Sequence, residues 1–111
     1  MIDLIIKNAK VATASDVFNC DIGVDKEKIV FLEKNSSKEA KQVIDAKNKY
    51  VLPGGVDGHC HLDQRTKDGT EMSDNFESGS RSAAFGGTTT VMPFAIQFKG
   101  ESLREVIDEY H

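Results

Sequence analysis

Apolar and polar positions alternate through the first half of the chain. Ile2, Leu4 and Ile6 share one face of an extended segment, with Asp3 and Lys7 on the other. After a short turn, Val11 to Thr13 is extended again. Phe18, Cys20, Ile22 and Val24 then alternate with Asn19, Asp21, Gly23 and Asp25, the cleanest period-two signal present. Asp25-Lys26-Glu27-Lys28 reads as a hairpin loop leading into Ile29-Val30-Phe31-Leu32. A polar stretch, Glu33 to Lys41, precedes Gln42-Val43-Ile44-Asp45, and Tyr50-Val51-Leu52 is a last short strand. Residues 1–52 therefore predict a small antiparallel β module.

Pro53-Gly54-Gly55 punctuates the chain, because proline stops ladder pairing and glycine permits unusual backbone angles. Val56 to Leu62 is strand-like, and residues 63–72 are polar and read as a loop. A helix is predicted from Ser73 or Asp74, with Asp74 as N-cap and Glu77 closing a capping box. Phe76, Ala83 and Ala84 fall near one of its faces, and Gly79, Ser80 and Ala83 are small enough for close packing on a sheet. Gly86-Gly87 ends it. Thr88 to Phe94 is β-branched and apolar, which predicts a second, buried strand, with Met92, Phe94 and Phe98 in the core. Ser102 and Glu105 form a capping box before Leu103, Val106, Ile107 and Tyr110, a helical stripe.

Strand, loop, helix, strand, helix implies parallel strands with helices outside. The fold class expected is α/β: a β module at 1–52, then the start of a (β/α) barrel at 53–111. Two strands cannot close such a barrel, which takes roughly 250 residues.

Composition narrows the function. The chain has 111 residues, 39% hydrophobic and 29% charged, with net charge -4. An acidic balance with scattered basic residues argues against a nucleic-acid or anionic-membrane surface. No run approaches the ~18 apolar residues of a membrane span, and the start lacks a secretory pattern. The expected compartment is the cytoplasm, and Cys20 and Cys60 are expected as free thiols.

The candidate chemistry lies in Asp57-Gly58-His59-Cys60-His61-Leu62-Asp63. On a strand, Asp57, His59, His61 and Asp63 share a face, and Cys60 and Leu62 point the other way. Two imidazoles so placed can approach one metal ion from one side, and neutral imidazole suits zinc-like ions. Asp57 is a candidate support for a histidine ring. A bare His-x-His is common on ordinary strands. The Pro-Gly-Gly break before it, its place at the head of a parallel array and the acids on its face weigh towards a metal site. Cys60 reads as packing. Asp63, Gln64 and Arg65 open the following loop, where a substrate contact and plain solvated polarity are both open readings. Thr88-Thr89-Thr90 reflects β propensity, and His111 has no partner in the pattern. No phosphate loop, Cys-x-x-Cys pair or nucleophile elbow is present.

Val51-Leu52-Pro53-Gly54-Gly55-Val56-Asp57-Gly58-His59-Cys60-His61-Leu62-Asp63 resembles the first-strand signature of the amidohydrolase superfamily, within it the dihydropyrimidinase and hydantoinase group. Residues 74–90, from Asp74-Asn75-Phe76-Glu77 to Gly86-Gly87-Thr88-Thr89-Thr90, are similar to that group's next segment, and Asp3 to Ala9 to its first strand. The resemblance implies a distorted (β/α)8 barrel with a small β-sandwich built from both chain ends. It implies two metal ions per full-length subunit, usually zinc. A His-x-His pair holds the more buried ion, and a carboxylated Lys, further His residues and a late Asp complete the site. A hydroxide held by the metals then opens a dihydropyrimidine or hydantoin ring. Only His59 and His61 carry over as metal ligands, and no catalytic residue of the family falls within these 111 residues. Lys67, Lys99 and His111 match no family position. Cys60 stands where many members have Thr. Arg65 is offset from the arginine by which dihydroorotase-like members bind a carboxylate, which argues against that substrate class. The resemblance also implies a homotetramer in the full-length form, an inactive N-terminal fragment as it stands, and, as alternatives, a non-catalytic scaffold relative or a truncated relic.

Overall fold

A computed structural model describes residues Met1–Tyr110; His111, considered above, lies outside them. The chain forms two compact units, Met1–Pro53 and a second beginning at Gly54. Among the described residues no helix is long and apolar enough to cross a membrane.

The first unit is one five-stranded sheet of β1 (Ile2–Ala12), β2 (Val17–Asp25), β3 (Lys28–Glu33), β4 (Ala40–Asp45) and β5 (Tyr50–Val51). The order is β3-β2-β1-β4, with β5 also on β1. The expected break near Val11 is absent, and β1 is continuous. Its register against β2 slips between Ile6 and Ala9, where Asn8 takes a left-handed φ of 53°. This bulge switches the parity of the strand. Ile6 lies opposite Ile22 before it, and Ala9 opposite Cys20 after it. One apolar face therefore survives, and Ala9, Val11, Cys20 and Ile22 form its buried core.

The module is not wholly antiparallel. β1–β2 and β2–β3 are antiparallel, but β4 and β5 both run parallel to β1. The cause is the polar stretch between β3 and β4, which carries the chain from one side of the sheet to the other. Buried Asp21 holds that crossover. Its carboxylate accepts the Asn8 N–H at 2.9 Å, the Ser36 N–H at 2.8 Å and the Lys7 ammonium at 3.0 Å. Lys7 donates in turn to the Ser36 carbonyl. β4 and β5 then lie end to end along β1. The turn between them faces the bulge, with the Asn48 N–H donating to the Asn8 carbonyl at 2.9 Å. On the opposite face of the sheet Ile5 is fully buried, and the Phe31 ring lies over Gly23, where any Cβ would collide with it.

The second unit is a parallel pair, β6 (Gly55–Cys60) and β7 (Thr88–Pro93), with α1 (Phe76–Phe85) and α2 (Leu103–Tyr110). The parallel pairing and both helices follow the expected alternation. Two local expectations shift. The N-cap of α1 is Asn75, one residue later than Asp74, and its capping box closes with Ser78 rather than Glu77. Asp74 instead accepts from the Ser78 hydroxyl at 2.8 Å, and Glu77 pairs with Arg81 one turn on. The capping box of α2 is Ser102 with Glu105, as expected. Gly79 is buried under the Leu62 side chain, and α1 packs on β7.

β7 is not a buried strand. Met92 is 55% and Phe94 48% exposed, and Phe98 is only half-buried. A two-stranded sheet has an open edge on each side, so among the described residues there is nothing to enclose these side chains.

Candidate metal-ligand pair and its loop

β6 delivers His59 near its end, and His61 lies just past it. Their ring centroids are 5.3 Å apart with an interplanar angle of 57°, and both imidazoles are exposed. Phe94, directly after β7, backs them both. Its ring stacks on His59 at 5.1 Å and lies tilted against His61 at 5.6 Å. The parallel pairing of β6 and β7 makes this possible, since the Phe94 N–H donates to the Cys60 carbonyl at 2.8 Å. The two imidazoles thus stand side by side, as the strand spacing predicts.

The acids expected in the same row behave differently. Asp57 turns its carboxylate back to the backbone N–H of His59 at 3.0 Å rather than to a histidine ring. Asp63 has left the extended conformation altogether, with a φ of 47° and its N–H on the Asp74 carbonyl at 3.0 Å. The four-residue row therefore ends at His61, because β6 stops at Cys60 and the chain turns into the loop.

That loop carries contacts that pattern reading left open. Gln64 places its side-chain oxygen 2.9 Å from His61 Nδ1 and donates its amide nitrogen to the Phe94 carbonyl at 2.7 Å. Arg65 is an internal clamp. It pairs with Glu101 and with Glu109 (2.9 Å), donates to the Ile96 carbonyl at 3.3 Å and lies over the Phe98 ring. Tyr110 donates its hydroxyl to the Leu62 carbonyl at 2.5 Å, and burial raises its pKa above the usual phenol value. Beside these residues is a cavity of about 240 Å³ lined by Asp63, Gln64, Arg65, Phe76, Val106 and Tyr110. The partners of Arg65 lie 36 and 44 residues away, beyond any local spacing signal. The proximity of Gln64 to His61 in sequence was a usable signal.

Two imidazoles on one side fit part of a zinc-type donor set, which usually has four members. Among the described residues no third His, Cys, Asp or Glu joins them in a metal-holding group. Cys60 is a half-buried free thiol, and Cys20 a buried one.

No family model matches the chain. It is 43% identical over 107 residues to a D-hydantoinase of Geobacillus stearothermophilus, covering 96% of this chain and 22% of that protein. To a D-hydantoinase of Streptomyces coelicolor it is 44% identical over 112 residues, covering 96% and 24%. The solved dihydropyrimidinase of Brevibacillus agri superposes with a TM-score of 0.86 at 45% identity, again over 96% of this chain and 23% of the other. The chain thus spans under a quarter of the length of the relatives it matches.

Proposed function

Because the chain belongs to the D-hydantoinase and dihydropyrimidinase family, we propose that it is the N-terminal segment of a metal-dependent cyclic-amide hydrolase. The reaction is hydrolysis of a carbon–nitrogen bond in a dihydropyrimidine or hydantoin ring. The observation that carries this reading is the pair of imidazoles, His59 and His61, side by side at the end of the first strand of a parallel pair. In this reading β6-α1-β7-α2 is the opening of a (β/α)8 barrel, residues 1–52 are part of the β-sandwich, and the whole protein is a cytoplasmic homo-oligomer.

His59 and His61 would hold a zinc ion, one of two, with the remaining ligands supplied by sequence that these residues do not contain. Zinc, when bound, supplies Lewis acidity that acidifies water and polarises an amide carbonyl. This chain's own residues orient that chemistry. Phe94 walls one side of the imidazole pair, and Asp57 secures the backbone at His59. Asp63 and Gln64, on the loop after β6, border the cavity and are the candidate substrate contacts. Arg65 is committed to Glu101 and Glu109, which leaves it a role in holding the loop rather than in binding a substrate carboxylate.

The deciding experiment reads the coding frame past the codon for His111, then expresses the product and assays ring opening of dihydrouracil and hydantoin. We expect a frame that supplies a barrel Lys, two more His and a late Asp, activity that is lost on chelation, and loss of turnover in His59→Ala and His61→Ala. The 111-residue chain alone should turn over nothing, since two imidazoles leave a zinc ion short of protein ligands. A continuing frame without those ligands would transfer the assignment to a non-catalytic scaffold relative. Turnover by the 111 residues alone would refute the view that they are an inactive part.

A further inference from the structure

We propose that Gln64 is the positioning residue of His61: it holds the imidazole as its Nδ1–H tautomer and leaves Nε2 as the bare donor towards the metal. This rests on the metal-site reading above and specifies how one of the two ligands is prepared.

The hydrogen bonds determine the tautomer by elimination. A backbone carbonyl can only accept. The Gln64 group lying 2.7 Å from the Phe94 carbonyl oxygen is therefore the amide nitrogen, and this settles which way round the amide lies. Its oxygen must then face the imidazole, 2.9 Å from His61 Nδ1. An amide oxygen also only accepts, so the contact is a hydrogen bond only if Nδ1 carries the proton. A neutral imidazole protonated at Nδ1 has its free lone pair on Nε2.

Phe94 is itself held by the β6–β7 pairing through the Cys60 carbonyl. The backbone N–H of Gln64 meets the Met72 sulfur at 3.2 Å, so the loop residue is anchored at backbone and side chain together. A ligating imidazole that donates its second N–H to a fixed oxygen gains both orientation and basicity. The sheet register thus reaches the metal ligand through Phe94 and Gln64.

The test uses the metal-free 111-residue chain with ¹⁵N-labelled histidine, at a pH well above the usual imidazole range, and zinc binding by calorimetry on the product of the full coding frame. In the wild type, His61 should show a protonated Nδ1 and an unprotonated Nε2. Gln64→Leu removes the acceptor. The tautomer should shift towards Nε2–H, and zinc affinity should fall about 10-fold to 100-fold. Gln64→Glu keeps the acceptor but can no longer donate to the Phe94 carbonyl. It should retain the Nδ1–H tautomer and most of the zinc affinity, whereas a merely structural tie to Phe94 would make it fail as Gln64→Leu does. An Nε2–H signal in the wild type, or an unchanged tautomer in folded Gln64→Leu, overturns the assignment even if zinc binds. A wild type held as Nδ1–H in which Gln64→Leu shifts the tautomer but leaves zinc affinity unchanged overturns the link to the metal while leaving the role of Gln64 in setting the tautomer standing.

Discussion

The two units differ in where their apolar side chains go. In the first, Ile5 and Ala9 are fully buried, with Val11, Cys20 and Ile22 nearly so. In the second, Val106 is the only large apolar side chain buried among the described residues, and Phe85 is 90% and Val56 63% exposed. Yet the second unit carries the candidate chemistry, and the first carries none. A mixed sheet with a crossover buries a central cluster and Ile5 by itself, although Ile29 and Val43 on its outer strands stay exposed. A parallel pair with two helices has open edges and needs further strands before its apolar residues leave water. Persistent order in the first unit should therefore rest on packing, and in the second on polar ties such as Arg65 with its two glutamates.

The largest effect should come from Ile5→Ala, which empties a fully buried site. We expect a loss of about 3 kcal/mol, read as faster amide exchange throughout β1 and β2. Little change at the amides of α1 would confirm that the two units are stabilised separately; equal acceleration in both would break the contrast. Asp21→Asn comes next, at about 2 kcal/mol near neutral pH, because it weakens three donors' shared acceptor in a buried place. This effect has a pH signature. Burial pushes the Asp21 carboxyl up, but the bonds from Asn8, Lys7 and Ser36 outweigh it and leave the pKa below the ordinary value. A depressed folded-state pKa gives stability that is complete above the unfolded value of about 3.9 and is lost as pH falls through the folded one. The gap between wild type and Asp21→Asn in denaturant titrations should thus close below about pH 4. A gap that stays constant with pH would mean the carboxylate charge is irrelevant to the crossover. The smallest effect should be that of Phe85→Ser. At 90% exposure it should change stability by under about 0.5 kcal/mol and increase solubility. A cost of several times that would show that the second unit uses this face for its own packing.

Much of this was readable along the chain, and the failures have local causes. The alternation from Phe18 to Val24 marks β2 because a half-buried strand repeats every second residue. The stripe from Leu103 to Tyr110, opened by Ser102 and Glu105, marks α2. The break at Asn8 was misread as a turn because a bulge with a left-handed Asn and a true chain reversal share the same residue preferences. The cap of α1 slipped by one residue because Asp74 and Asn75 are both good caps and Ser78 competes with Glu77 for the return bond.

The order of elements, the hairpin at Lys26–Glu27 and the pairing of His59 with His61 on one side were all determined by the sequence alone. Each depends on backbone propensity or on spacing within one element, and such information is local. The parallel pairing of β4 with β1, the burial of Asp21 and the link from Phe94 through Gln64 to His61 were decided only in the tertiary structure. Apart from the local step from Gln64 to His61, those join residues 13 to 38 positions apart in the chain. No period in a sequence encodes such a meeting, because it depends on which edges and faces are left to be satisfied once the local elements have formed.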